Sequence, residues 1–275
     1  MISAFFHVFY GMNKSSNHIM TETPKLIFIV PYRDRDQQKH FFMNHMKKTV
    51  LEDMESSQYK IYFCHQNDNR SFNRGAMKNI GFLAMKEKYP NDYRDITFVF
   101  NDIDTMPYTK NFLNYETKQG TIKHFYGYEF ALGGIVSICG SDFERINGYP
   151  NYWAWGYEDN LLNIRAKDAK LHIDRSQFYP IMDKNIMQLK DGLERVVNKK
   201  EFDRYVNRTN EGISSIHQLT YDIHEPDHFI DISYFLTEYA ENKQYTKIHD
   251  LRKGSQPFSP PIQKQVRTGK MKMFL

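Results

Sequence analysis

Cysteine is nearly absent. The 275 residues hold two, Cys64 and Cys139, so at most one disulfide is available and a small fold framed by several bridges is excluded. Both read as buried thiols in a chain made in a reducing compartment. Long apolar runs are also missing. The stretch from Ile2 to Met12 has eleven residues with His7 inside it, against roughly 20 for a spanning helix. It has neither the basic start nor the small-residue cleavage site of a secretory signal, so the sequons at Asn13, Asn69 and Asn207 read as chance matches. No charge of one sign dominates. Thirty-seven Lys and Arg stand against 33 Asp and Glu, the balance of a mixed soluble surface, and no nucleic-acid partner is expected. There is no internal repeat.

What is present is core material. Forty per cent of residues are hydrophobic and 15% aromatic, which argues against global disorder and fits one ordinary domain with appendages. Lys25 to Val30 is a continuous β-branched and aromatic run, read as a buried strand. Phe41, Phe42, Met46, Val50, Leu51 and Met54 recur at helical spacing between Asp36 and Met54. Tyr59 to Cys64 is a second strand, Arg74 to Lys86 a second helix, and Ile96 to Phe100 a third strand. Strand and helix alternating in this way predict a parallel α/β sheet, whose ligands collect beyond the carboxyl ends of the strands. Further on, Gly133-Gly134 is a tight turn before the short apolar run Ile135 to Cys139, and Glu158 to Lys167 reads as a helix. Residues 1–23 read as a lead-in and 24–240 as the folded domain. Residues 241–275, with eight Lys or Arg and three Pro, read as a basic, flexible tail.

Three segments carry chemistry. Asp102-Ile103-Asp104 follows the third strand directly. Two carboxylates two residues apart can turn to one side and hold Mg²⁺ or Mn²⁺, hard cations that share their shell with substrate phosphates. Alone, the pattern is as easily a polar turn. The second segment is Trp153-Ala154-Trp155-Gly156-Tyr157-Glu158-Asp159. Aromatic rings suit the apolar faces of sugars, and Asp159 could accept a proton from an attacking hydroxyl. Acids opening a helix above a packed aromatic core explain the same residues without function. In the third, Ser71 to Gly75, Phe72 could pack on a base and Arg74 pair with phosphate, or Asn73 could simply cap a helix.

Taken together, these segments resemble the β-1,4-galactosyltransferase family over about Lys25 to Tyr234. The landmarks occur in order. Ile29-Val30-Pro31-Tyr32-Arg33-Asp34-Arg35 comes first, then Phe72-Asn73-Arg74 with Asn79-Ile80-Gly81-Phe82, then Phe98 to Asp104. Gly133-Gly134, Ile146 to Asn151 and Tyr152 to Asp159 follow. The resemblance implies a GT-A-like fold. This is a mixed, mostly parallel sheet flanked by helices, with a Rossmann-like nucleotide-binding half and an acceptor-binding half. It also implies an inverting glycosyltransferase with a UDP-sugar donor, Mn²⁺ or Mg²⁺ as cofactor and a glycan acceptor. By position, Pro31, Arg33, Arg35, Phe72, Arg74, Asp102, Ile103, Gly134 and Trp155 would bind the donor, Trp155 on a mobile loop. Asp104, with Met187, would hold the metal. Trp153, Tyr157, Glu158 and Asp159 would hold the acceptor, with Asp159 as catalytic base. A relative that binds glycan without turnover is the alternative.

The chain departs from the family in four places. The family's Met-x-x-His metal segment is here Met187-Gln188-Leu189-Lys190, without the His. The third acid after Glu-Asp is Asn160. Ala131-Leu132 replaces a Tyr-Phe of galactose-specific members, and the smaller Ala131 would leave room for an N-acetyl group on the donor. The family's membrane anchor and cysteines are missing, which implies a soluble, cytoplasmic, bacterial or viral form and not a Golgi-anchored one.

Overall fold

The structure, a computed structural model, describes residues 23–189, 192–226 and 228–259. The expected lead-in falls outside these residues except for Thr23.

Strand β1 (Leu26–Tyr32) is buried at every position. Neighbouring residues of a strand point to opposite faces, so an uninterrupted apolar run needs cover on both sides. Ile27 and Ile29 enter one core, while Leu26, Phe28, Val30 and Tyr32 enter the other. Helix α2 (Arg74–Lys88) covers the first face with Met77, Ile80 and Met85. Helix α1 (Asp36–His45) covers the second with Phe42, continued by a π-helical turn at Met46–Val50. The single helix expected from 36 to 54 is therefore divided. Leu51 N–H reaches back to Met46 O at 2.8 Å, and the widened turn puts Met46, Val50 and Leu51 all in the core.

Strands β2 (Tyr59–Gln66) and β3 (Thr97–Asn101) flank β1 on opposite sides, both parallel to it. The chain thus winds outward on one side of β1 and returns on the other. The crevice beyond the carboxyl ends of β1 and β3 is the topological switch point, the usual ligand position in such sheets. Pro31 to Arg35 and Asp102 to Asp104 leave the sheet there. Beyond β2 lie β12 (Phe229–Leu236), parallel, and β11 (His217–His224), antiparallel. Beyond β3 come β6 (Ile135–Cys139) and β5 (Thr121–Gly127), each antiparallel to its neighbour, then β7 (His172–Asp174) and β8 (Tyr179–Pro180), both parallel to β5. The sheet is mixed, with parallel pairings in the majority, as expected.

The motifs around Asn73 and Asn151 form a joint. Asn73 caps α2 by accepting from Ala76 N–H at 2.9 Å and donates to Asn151 O at 3.0 Å. Asn79 donates to Tyr149 O and to Asn151 Oδ1 at 2.7 and 2.9 Å. Buried polar groups must be paired, and here the pairing locks α2 to the segment leading from α3 (Gly140–Arg145) to α4 (Glu158–Asp168).

The reading of 241–275 as a flexible tail needs correction up to residue 259. Strand β13 (Thr246–Asp250) pairs antiparallel with β10 (Glu194–Asn198), and Lys247 and Phe258 pack together. The polar composition hid this because the strand pairs only with β10, in a two-stranded sheet that leaves Ile248 exposed. Residues 260–275 lie outside the described part. Cys64 and Cys139 are both buried and unbridged.

Candidate active site

Two clefts open at the switch point and share a wall. The first, of about 500 Å³, is lined by Pro31, Arg33, Arg35, Phe72, Arg74 and Ile103 among others. The second, of about 430 Å³, is lined by Tyr126, Tyr128, Gly133, Tyr157, Glu158 and Asp159 among others. Asp102, Asp104, Trp155 and Arg195 border both.

The first cleft sets arginines around an aromatic ring, with as many acids in its wall. Arg33 and Arg74 stand over Phe72, 5.5 and 5.3 Å from the ring centroid. Arg33 is fixed from behind, donating to Gln66 O, Arg70 O and Asp68 Oδ1 at 3.2, 2.5 and 3.1 Å. All the residues expected to bind the donor line this cleft except Gly134, which lines the second.

Gly133 and Gly134 line the second cleft and tie it to the shared wall at Asp102. Because β6 runs antiparallel to β3, its start lies beside the end of β3, and Asp102 N–H donates to Gly134 O at 3.0 Å. Gly134 has φ +72°, and a Cβ on it would stand 2.4 Å from Tyr126 O. A Cβ on Gly133 would stand 2.1 Å from Asp159 Oδ2. The bare α-carbon is what lets the carboxylate sit there, and Leu132 N–H donates to Asp159 O at 2.9 Å. Gly133→Ala is expected to fold but to displace Asp159, and a misplacement of about 1 Å can cost on the order of 100-fold in rate. Transfer kinetics beside a thermal melt check this, and an unimpaired Ala variant would remove the close approach from the argument.

Helix α4 begins at Glu158 after Tyr157, held at φ 72°. Tyr157 OH donates to Phe258 O at 2.8 Å and accepts from Phe258 N–H at 2.9 Å. Glu158 is 4% exposed, and its Oε2 is buried without a hydrogen-bond partner. An orphaned buried acceptor is costly, and a substrate hydroxyl would satisfy it. Asp159 receives Lys78 Nζ at 3.2 Å. Burial pushes its carboxyl up to about 7, against the downward pull of Lys78, with Glu158 and Asp102 raising it further.

Trp153, expected to hold the acceptor, is a core residue. It is 1% exposed, stacks on Phe235 with centroids 5.4 Å apart, and spends its indole N–H on Thr237 Oγ1 and Tyr239 O. It touches the first cleft and not the second. Trp155 is the tryptophan at the site, its backbone N–H donating to Val196 O at 2.8 Å.

Asp104 is the metal candidate. Burial, then the charge of Asp102, pushes its carboxyl up, while Thr105, Arg35 and Arg74 pull it down. A cation would relieve that crowding. Among the described residues no three His, Cys, Asp or Glu cluster closely enough to hold a metal by themselves. A hard divalent cation that keeps waters and leans on substrate phosphates needs only one or two carboxylates, and the residues fit that kind of ion. Met187, the expected second ligand, is not brought to either cleft. Strand β9 (Ile186–Gln188) pairs with β4 (Thr105–Pro107), and alternation sends Met187 against the core while Gln188 lines the second cleft. Lys190 lies outside the described residues.

Sequence reasoning missed Arg195, Gln188, Lys78 and the segment Leu251 to Pro257, part of which lines the second cleft. Only Lys78 left a signal. It falls on the helix face of Phe82 and Met85, where an apolar residue belongs.

Two family models match, "N-terminal region of glycosyl transferase group 7" over residues 14–116 and "N-terminal domain of galactosyltransferase" over 119–188, together more than half of the chain. The xylosylprotein 4-β-galactosyltransferase of Caenorhabditis elegans is 28% identical over 74% of this chain and 73% of its own length. β-1,4-galactosyltransferase 7 of Drosophila melanogaster is 31% identical over 56% of this chain, and β-1,4-galactosyltransferase 4 of Mus musculus 29% identical over 55%. The chain matches about half the length of these last two, 48% and 45%. Among solved structures, the catalytic domain of the Drosophila β-1,4-galactosyltransferase 7 with xylobiose has TM-score 0.56 at 22% identity. It covers 79% of this chain and 95% of the other. A mutant of it with manganese, UDP-Gal and xylobiose has TM-score 0.57 at 19% identity. At such identities the likeness establishes the fold. The expectation of a soluble, cytoplasmic form from a bacterium or virus is overturned, because the relatives are animal galactosyltransferases. Among the described residues no helix is long and apolar enough to cross a membrane. With the landmarks in order, the GT-A-like fold built on them and both models matched in sequence, the chain belongs to the β-1,4-galactosyltransferase family, group 7 of the glycosyltransferases.

Proposed function

We propose that the protein moves a hexose or N-acetylhexosamine from a UDP-sugar to a carbohydrate hydroxyl, with inversion and with a divalent cation. The observation that carries this reading is the shared wall. A cleft with arginines set around the ring of Phe72, suited to a nucleotide diphosphate, meets an acid-lined cleft suited to a sugar at Asp102, Asp104 and Trp155. The manganese, UDP-Gal and xylobiose bound by the Drosophila neighbour agree with it.

In this reading Arg33, Arg35 and Arg74 hold the diphosphate and Phe72 packs on the base. Asp104 would hold the cation, which when bound stabilises the charge that develops on the departing diphosphate. Glu158 Oε2 orients an acceptor hydroxyl, and Asp159 takes its proton. The acceptor oxygen forms a bond to the anomeric carbon as the bond from that carbon to the diphosphate oxygen breaks. The electron pair leaves with UDP, and one displacement inverts the centre. Ala131 lines the second cleft, and its small side chain favours N-acetylated donors.

A screen of UDP-sugars with and without Mn²⁺, read as UDP release, tests the proposal. Metal-dependent release from at least one donor is expected, with UDP-N-acetylhexosamines turned over at least as well as UDP-galactose. A large excess with UDP-galactose would remove the role given to Ala131. No release from any donor would leave a glycan-binding protein without turnover.

A further inference from the structure

Helix α2 buries an ammonium group where its pattern calls for an apolar side chain. Lys78 is 2% exposed, between Met77 and Asn79, which are fully buried. Its Nζ lies 3.2 Å from Asp159 Oδ1 and 3.9 Å from Asp102 Oδ1, and 4.4 Å from the ring centroid of Tyr149. The charged or titratable groups that face it are Asp159 and Glu158 from α4, Asp102 from the turn after β3, and Tyr149 from the segment after α3. Taking an ammonium out of water costs several kcal/mol unless it is paired with good geometry. The fold accepts that cost at the point where the donor turn and the acceptor helix meet.

Two contacts bracket the Asp159 carboxylate. One oxygen takes the ammonium hydrogen bond, and the other rests against the bare α-carbon of Gly133. Three acids facing one another without a cation would repel, and one would be driven toward protonation. A Leu or Met at 78 would satisfy the core equally well but would leave that repulsion in place.

We propose that Lys78 is a positioning residue for the transfer step, fixing the carboxylate of Asp159 and tying it to Asp102 so that the acceptor wall and the donor turn stay in register. This rests on Asp159 being the base of the proposed reaction. Lys78 itself touches neither substrate and exchanges no proton.

The test compares Lys78→Met and Lys78→Arg with the unaltered chain. Five quantities are read: kcat for transfer, KM for the donor, acceptor-independent UDP release, the midpoint of the acid limb of the pH–rate profile, and the melting temperature. For Lys78→Met, kcat should fall about 10–100-fold, the scale of a displaced catalytic group. Donor KM and acceptor-independent UDP release should stay within about twofold of the original, because uniform donor binding is untouched. The pH midpoint should move up, because Asp159 loses its counter-charge. Lys78→Arg keeps the charge and moves it. Its midpoint should stay near the original while kcat falls, and it carries the test if the Met variant does not fold. An unchanged kcat and midpoint in the Met variant would overturn the proposal. So would parallel loss of transfer, donor hydrolysis and melting temperature in both variants, which marks a purely structural lysine. Absence of metal-dependent UDP release in the unaltered chain would instead overturn the function proposed above.

Discussion

Asp159→Asn is expected to keep donor binding and lose roughly 10²–10⁴-fold in kcat for transfer, the range that a positioned general base contributes. The amide has nearly the shape of the carboxylate, so the contact with Gly133 survives, but it cannot accept the proton of the incoming hydroxyl. The unaltered protein should show the same dependence in its pH profile. Burial, with Glu158 and Asp102 adding their charge, lifts the Asp159 carboxyl to about 7 in spite of Lys78. Only the ionised form is a base. The transfer rate should therefore rise about tenfold per pH unit below 7 and level off above it, the reverse of what an essential acid would give. A base whose pKa lies near the working pH combines sufficient ionisation with sufficient proton affinity. Steady-state rates from pH 5 to 9 on both proteins check this. A flat acid limb, or normal transfer by the Asn variant, removes Asp159 from the mechanism.

Asp104→Ala is expected to abolish metal-dependent turnover at the other end of the same bond. A bound cation supplies several kcal/mol of charge stabilisation to a departing oxygen, and each 1.36 kcal/mol is a factor of ten in rate. Losing its ligand should therefore cost at least about 100-fold in UDP release, whether or not acceptor is present. Asp159→Asn should spare acceptor-independent release, so the two variants separate leaving-group stabilisation from hydroxyl activation. The fold should survive, because truncating a crowded carboxylate that burial and Asp102 already push up in pKa removes repulsion from Asp102. Mn²⁺ titrations of UDP release, with calorimetry of Mn²⁺ and UDP binding, measure both effects. If the Ala variant binds metal and donor as before, the ion belongs elsewhere in the cleft.

Part of this site was legible before any coordinates. The run from Lys25 to Val30 could only be a strand covered on both faces, and Asp102-Ile103-Asp104 had to leave the sheet at a carboxyl edge, because apolar runs and polar breaks are local facts. The capping by Asn73 and the start of α4 at Glu158 were equally local. Trp153 and Trp155 could not be told apart in this way. Both sit in one aromatic loop, and only the packing of Phe235 and the carbonyl of Tyr239 decides which indole goes inward.

The sequence by itself determined the alternation of strands and helices, the order of the motifs and the residue types that suit phosphate, cation and sugar, since each depends on neighbours within a few positions. The tertiary structure alone decided that Lys78 is buried against Asp159, that Gly133 makes room for that carboxylate, that Gln188 and not Met187 reaches the cleft, and that Thr246 to Asp250 pairs as a strand with β10. Each of these joins residues far apart in the chain through burial and strand register, and neither is written in a local pattern.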